Sequence, residues 1–216
     1  MDIDFNLLKL LSSRICHDLI GPVGSLNFSM DLLKEDKALE NTEAIDIANV
    51  SLKNLINKLS FFRMALGAAS LGEGDVALNK AKLLIVNLLK EKTVDLKWNK
   101  EVDKSLLVIA NNVNLKLILN IFLVIFYSVQ RNATIKVYVG EVDNKIGVAI
   151  SVKGNGIKLG IDNIQALRLE TSPAEVNPRN VHSYFTALLA KEALTLLEVR
   201  DNMQEEIQIS CILHKA

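Results

Sequence analysis

The chain has 216 residues, half of them hydrophobic, and its 25 lysines and arginines balance 25 aspartates and glutamates. This length can bury a real core in one large domain or two small ones. The balanced charge excludes a global field that would attract nucleic acid or an anionic membrane. The most apolar stretch, residues 115–129, contains Lys116 and Asn120 and is shorter than the roughly 20 residues of a membrane span. Because the start is acidic and lacks a basic signal-peptide region, we expect a cytoplasmic protein.

Two long amphipathic helices are predicted first, because apolar side chains recur at steps of three and four on both sides of the charged segment EDKALENT. The apolar positions are Leu8, Leu11, Ile15, Leu19, Val23, Leu26, Met30 and Leu33, and then Ala48, Leu52, Leu55, Leu59, Phe62 and Leu66. Such a pair forms an antiparallel hairpin. One hairpin buries a single stripe per helix, so we expect two copies to share a core as a four-helix bundle, which makes the protein a homodimer.

A small-residue stretch, GAASLGEGD at 67–75, predicts a linker between domains at 1–68 and 75–216. The following elements are a helix at 76–90, a strand at 94–98, a buried helix at 114–130, helices at 161–170 and 180–197, and a final strand EIQISCIL. TIKVYVGEV and KIGVAISVK, joined by Asp143 and Asn144, predict a β-hairpin. The predicted fold class is α+β: a helical hairpin followed by an α/β sandwich with helices on one face of a mixed sheet.

His17 is the predicted site of chemistry. It lies two residues from both Ile15 and Leu19, so it points about 160° away from that stripe and faces solvent. The residues one and two turns away, several of them small, are Leu10, Ser13, Arg14, Ile20, Gly21 and Gly24. A neutral imidazole has a nitrogen lone pair that can attack phosphorus. Phosphoryl transfer then depends mainly on positioning and charge neutralisation.

Three neighbours of His17 have predicted roles. Asp18 diverges from it by about 100° on the helix and reaches the imidazole only through a favourable rotamer, as an orienting group or proton acceptor. Arg14, one turn earlier, is expected to balance phosphoryl charge. Pro22 removes a helix hydrogen bond at a cost of about 3 kcal/mol or more, which favours a useful local distortion. The expected docking face for a partner consists of Leu10, Ser13, Ile20, Gly21 and Gly24, with the two apolar residues as anchors.

The run HDLIGP from His17 to Pro22 resembles the phosphoacceptor motif of sensor histidine kinases, which has a histidine, an acid, three positions and a proline. The later elements resemble the kinase ATP-binding domain, but the key residues of its nucleotide-binding motifs are replaced in this sequence. Val124 replaces the asparagine that holds magnesium, Val152 replaces the aspartate of the adenine loop, and SPAEVNPRNVHSYF replaces the last glycine-rich loop. Valine neither ligates a metal nor accepts a hydrogen bond. Gly154 and Gly156 are also explained by an ordinary turn.

A phosphoacceptor hairpin on such a domain resembles the alphaproteobacterial ChpT-type histidine phosphotransferases, most strongly at SSRICHDLIGPVGSLNFSMDLL. The resemblance implies a dimeric cytoplasmic phosphotransferase that relays phosphoryl groups through phosphohistidine at His17. Its donor is the receiver domain of a hybrid histidine kinase, and its acceptors are response regulators. It binds no cofactor itself, and Mg²⁺ comes from the partner receiver. Two alternatives remain: a weak ATP-dependent autokinase, against which Val124 and Val152 argue, and a non-catalytic adaptor that only binds receivers.

Overall fold

The computed structural model describes residues 5–34, 38–70, 74–99, 111–129, 132–202 and 206–214. Helix α1 (Phe5–Leu33) continues through Pro22, and helix α2 (Ala38–Ala65) packs along it. The short connection makes the two helices antiparallel. Three small residues of the two helices are buried: Ser29, Ala44 and Ser51. Side chains of this size let two helix backbones approach closely, which sets the geometry of the hairpin.

The predicted apolar stripes are only partly covered within one chain. Leu55 is partly buried and Phe62 is buried within one chain, so these two serve the chain's own packing. Six other large side chains form what we call the apolar seam, and each is 46–53% exposed: Val23, Met30, Ile45, Leu52, Ile56 and Leu59. Ile45, Leu52 and Leu59 follow one another at steps of seven, the repeat of helices that pack side by side.

The second part of the chain is a five-stranded mixed sheet with helices. Its elements are α3 (Gly74–Leu89), β1 (Val94–Trp98), α4 (Asn112–Ser128), β2 (Ala133–Val142), β3 (Lys145–Lys153), α5 (Ile161–Leu167), α6 (Val181–Glu192), β4 (Glu198–Asn202) and β5 (Glu206–Leu213). The strand order is β1-β2-β3-β5-β4, with β1 parallel to β2 and the other pairs antiparallel. Asp143 and Asn144 have φ angles of 48° and 63°, which confirms the predicted tight hairpin turn.

The core lies between one face of the sheet and the helices, as the α+β prediction requires. Alternate residues of β2, β3 and β5 are buried, while the residues between them are more exposed. Helix α4 is buried along most of its length. Phe61, Met64 and Ala65 from the end of α2 belong to the same apolar cluster. The hairpin is therefore built into the core of the second domain.

Polar contacts from α4 cap the end of α2. The Asn120 side-chain amide donates to the carbonyls of Ala65, at 2.8 Å, and Lys116, at 2.9 Å. The Lys116 ammonium donates to the Gly67 carbonyl at 2.7 Å. A Cβ on Gly67 would lie 2.5 Å from the Arg63 carbonyl oxygen, so only glycine fits there. The bonds to Ala65 and Gly67 satisfy carbonyls at the end of α2 and just beyond it. They fix the start of the predicted linker, whose residues 71–73 lie outside the described residues.

The helix predicted at 180–197 is shorter in the structure, and this prediction was wrong at its C-terminal end. Helix α6 ends at Glu192, and Leu194 follows with a φ of 55°, a left-handed conformation that stops a helix. The chain then forms β4, which the sequence pattern did not predict. Val199 is the apolar residue of the segment EVRDN, and it is buried, so the strand carries no alternating apolar signal.

Candidate functional site

His17 lies on the open face of α1, and its side chain is 79% exposed, which confirms the predicted orientation. Ile20 is 67% exposed. A Cβ on Gly21 or Gly24 would meet nothing within 4 Å, and Ser13 is exposed as well. Apart from Ile20, the residues named on this side of the imidazole are small.

Asp18 joins His17 to the second domain. Its Oδ1 atom is 3.4 Å from His17 Nδ1, a long contact that shows the favourable rotamer is adopted. Its Oδ2 atom accepts a hydrogen bond from the Tyr127 hydroxyl on α4 and lies 3.4 Å from Arg14 Nε. The Asp18 side chain is only 11% exposed. One carboxylate thus contacts the phosphoacceptor candidate on one side and two fixed groups on the other.

Two residues expected beside His17 on the open face belong elsewhere. The Arg14 guanidinium carbon lies 4.4 Å from the centroid of the Tyr127 ring, a cation–π contact directed toward the second domain. Leu10 packs against a second apolar cluster, which comprises Ala166, Val176, Val181 and Tyr184. Helix periodicity placed both residues near His17, but burial against α4, α5 and α6 offers them better contacts than solvent. The expected docking face is reduced to Ser13, Ile20, Gly21 and Gly24.

Tyr127 and His182 complete the site, and neither role was predicted. Their rings stack with centroids 5.0 Å apart and planes 14° apart. Burial, and then the Asp18 charge, raises the pKa of Tyr127, so the phenol stays protonated and donates a hydrogen bond to Asp18. Burial, and then the Arg14 charge, lowers the pKa of His182 to about 4, so this ring is neutral near pH 7.

The sequence contained one signal for Tyr127. It lies three residues after Val124 and seven after Asn120, so the three positions share one face of α4. Asn120 caps α2 from this face, and Tyr127 reaches α1 from it. A polar position on a helix otherwise buried is therefore a candidate for a contact between domains.

The positions that depart from the kinase nucleotide motifs are occupied by structural residues. Val152 is buried in the sheet core, and Val124 is buried beside Tyr127. Gly156 has a φ of 72°, and a Cβ on Gly154 would come within 3.1 Å of Ala133 Cα. The positive φ favours glycine at 156 and the space at 154 is tight for a side chain, so both glycines suit the turn after β3. Within the described ranges, no group of three His, Cys, Asp or Glu side chains is arranged to hold a metal ion.

The comparisons with known proteins identify the family of this chain. The family described as the histidine phosphotransferase C-terminal domain matches residues 78–202. Protein phosphotransferase ChpT of Brucella abortus (strain 2308) is 31% identical over 191 residues, which cover 87% of each chain. The chain belongs to the histidine phosphotransferase family. A solved structure described as a bacterial phosphotransferase aligns with 98% of both chains at a TM-score of 0.79 and 26% identity.

Membership of the histidine phosphotransferase family defines the class of reaction. The protein is a phosphotransferase of a phosphorelay, and its partners are response-regulator proteins of such a relay. The fold agrees, since the similarity at 26% identity extends over the hairpin as well as the second domain. In the part of the chain that the structure describes, no helix is both long and apolar enough to span a bilayer.

Proposed function

We propose that this histidine phosphotransferase carries the phosphoryl group on His17. The observation that supports this most strongly is an imidazole that is 79% exposed and whose Nδ1 faces a fixed carboxylate. A proton on Nδ1, directed toward Asp18, leaves Nε2 unprotonated, with its lone pair free to react. The small residues around it leave room for a second protein.

The chemistry of this arrangement is a direct displacement at phosphorus. The Nε2 lone pair attacks the phosphorus of an aspartyl phosphate, the P–N bond forms, and the aspartyl oxygen leaves with the electrons of the P–O bond. The phosphorylated imidazole then carries a positive charge with its proton on Nδ1. Asp18 stabilises that charge, while Tyr127 and Arg14 hold its other oxygen. Transfer to a second aspartate reverses these steps.

The partners in this proposal are receiver domains. A hybrid histidine kinase receiver donates the phosphoryl group, and response regulators accept it, in the cytoplasm. They dock on Ser13, Ile20, Gly21 and Gly24, where Ile20 is a large exposed apolar side chain suited to anchor a transient interface. Each receiver supplies the Mg²⁺ that neutralises the phosphoryl oxygens, and this chain binds no cofactor for the reaction.

The protein acts as a homodimer in this proposal, through the apolar seam. Six large side chains about half exposed on one hairpin are more than isolated surface residues explain. A second hairpin covers them in a four-helix bundle, in which each side chain buried contributes roughly 1.5–3 kcal/mol when the burial is complete. The open face of α1 stays accessible in both copies.

The experiment is transfer from a receiver domain carrying a labelled aspartyl phosphate. We expect acid-labile label on the wild-type protein and on the control His214→Ala, whose side chain is exposed near the end of β5, and none on His17→Ala. Equal labelling of His17→Ala would disprove the assignment. Receiver binding without label on His17 would favour the adaptor. Label taken directly from ATP with magnesium would favour the autokinase, against which the buried Val124 and Val152 argue.

A further inference from the structure

A cavity of about 190 Å³ lies between α4, the loop after β3 and the first turn of α6. Three cationic side chains line it: Arg14, Lys158 and Arg179. Among the described residues that line it there is no carboxylate. A concave surface with cations and no acid favours an anionic ligand, because the walls concentrate the field of the fixed charges.

Two of these cations are not used by the fold. Lys158 and Arg179 are exposed, and neither forms an ion pair within the described residues. Arg179 lies just before α6, a helix of 12 residues whose first turn contributes His182 and Ser183 to the cavity wall. The partial positive charge of a helix N-terminus adds to the two side-chain charges.

His182 is the independent sign of a ligand. Its side chain lines the cavity, the residue is only 5% exposed, and both ring nitrogens lack a hydrogen-bond partner among the described residues. A buried donor and a buried acceptor without partners are rare in native proteins, because each has lost its water. Because these nitrogens are themselves buried, an anion accepts a hydrogen bond from this ring once the ring edge turns toward the cavity, and that contact would remove the deficit.

We propose that this cavity is a binding site for a small phosphate-type anion, held by Lys158, Arg179 and the first turn of α6, with the His182 ring as donor. The size and the lining argue against a nucleotide. Val124 forms part of the wall and offers no polar atom to a base or a metal. Inorganic phosphate and small phosphomonoesters share the required chemistry. The site does not depend on the assignment of His17.

The test is a titration of the full chain with inorganic phosphate, and separately with glycerol phosphate, against sodium chloride of equal ionic strength. The His182 ring resonances report binding, and they can be assigned because the chain has only three histidines. We expect a saturable shift with at least one phosphate compound and none with chloride. Saturation by glycerol phosphate alone would identify a phosphomonoester as the ligand.

A double variant decides whether the cavity is the site. Lys158→Ala with Arg179→Ala should weaken binding at least tenfold, which is about 1.4 kcal/mol. The control, Lys136→Ala with Lys145→Ala, removes two exposed cations that do not line the cavity and should leave the affinity within about twofold of wild type. The variant His17→Ala should bind phosphate normally, which separates this proposal from that for phosphotransfer. No saturable shift, or equal binding by both double variants, would overturn the site.

Discussion

At the scale of single residues, the site depends on one carboxylate with partners from both domains. The sequence predicted His17 and its neighbour Asp18 because helix periodicity and the proline pattern are local signals. It did not predict Tyr127, which is 109 residues from Asp18 in the chain. It also placed Arg14 and Leu10 on the wrong surface. Periodicity gives the direction of a side chain on its own helix, but not what packs against that helix.

The variant Tyr127→Phe tests whether Asp18 must be held in position for phosphotransfer, independently of receiver docking. Loss of the hydroxyl leaves the Asp18 carboxylate, which is 11% exposed, with Arg14 as the remaining partner of its Oδ2 atom. We expect a loss of about 1–3 kcal/mol in the free energy of unfolding. Phosphotransfer should slow with unchanged affinity for the receiver. The control Tyr138→Phe alters a half-exposed tyrosine on the sheet. Wild-type transfer rates in Tyr127→Phe would contradict this role of Asp18.

The stability of the protein should fall below neutral pH because of His182. The pKa of His182 is lowered from 6.5 in an exposed ring to about 4 in the fold. Between these pH values the unfolded chain therefore binds a proton at this ring and the folded chain does not. The free energy of unfolding is therefore unaffected by His182 above pH 6.5, and it decreases as the pH falls toward 4. Between pH 7 and 5 we expect a loss of up to about 2 kcal/mol. Urea unfolding of His182→Phe should lack this loss, and an equal loss in the variant would assign it to other groups.

Gly24→Arg should block docking of the receiver without disturbing the fold. A Cβ at this position meets nothing within 4 Å, and glycine is the poorer helix former by about 1 kcal/mol, so the helix tolerates the change. The arginine occupies the space beside His17 that a receiver needs. We expect slower label uptake at low receiver concentration. Gly140→Arg, which adds the same side chain on the sheet in open space, is the control. Uptake at the wild-type rate would show that the docking face is elsewhere.

At the scale of helices and strands, most elements were predictable, but the end of one helix and one whole strand were not. The hairpin turn at Asp143 and Asn144 and the helices of the N-terminal pair follow from residue types and spacing. The end of α6 and the existence of β4 do not. Leu194 stops the helix in a conformation that leucine seldom adopts, and Val199 alone carries no alternation. Strand β4 is held by its pairing with β5, a contact that the local sequence does not reveal.

The cap on α2 should contribute measurably to stability. In Asn120→Ala the Ala65 carbonyl loses a partner at 2.8 Å inside the core, and a small cavity remains. We expect the free energy of unfolding to fall by about 1–3 kcal/mol, measured in urea. Asn27→Ala, at an exposed position on α1, should change it by less than about 0.5 kcal/mol. Similar values for both variants would mean that the contact contributes nothing.

At the scale of the whole molecule, the single apolar stripe that the sequence pattern predicted on α2 divides between two surfaces. One is the core of the single chain, and the other is the apolar seam. Leu55 and Phe62 belong to the hairpin and its core, whereas Leu52, Ile56 and Leu59 are about half exposed. A charge at Leu55 would therefore disturb the single chain as well as a dimer. In the proposed dimer, a charge on the seam would affect only association.

Ile56→Glu should give a folded monomer. The residue is 53% exposed in one chain, so glutamate is tolerated there, but covering it in a bundle would bury a charge without a partner. Light scattering should report half the wild-type mass, with unchanged circular dichroism. Val50→Glu, at a residue 60% exposed outside the seam, should remain dimeric. A dimeric Ile56→Glu variant would place the interface elsewhere.

The contacts of Asp18 with Tyr127, and of α2 with the core around α4, have a consequence for recognition. They present His17 in one geometry before any partner arrives. In the proposed relay, a receiver docks on a histidine already held against the second domain, so little binding energy is spent on ordering this protein. Different receivers could then share this surface, and discrimination among them would depend on their own side chains. In this proposal, a domain without the kinase nucleotide residues holds α1 in place and so supports a docking surface that several partners share.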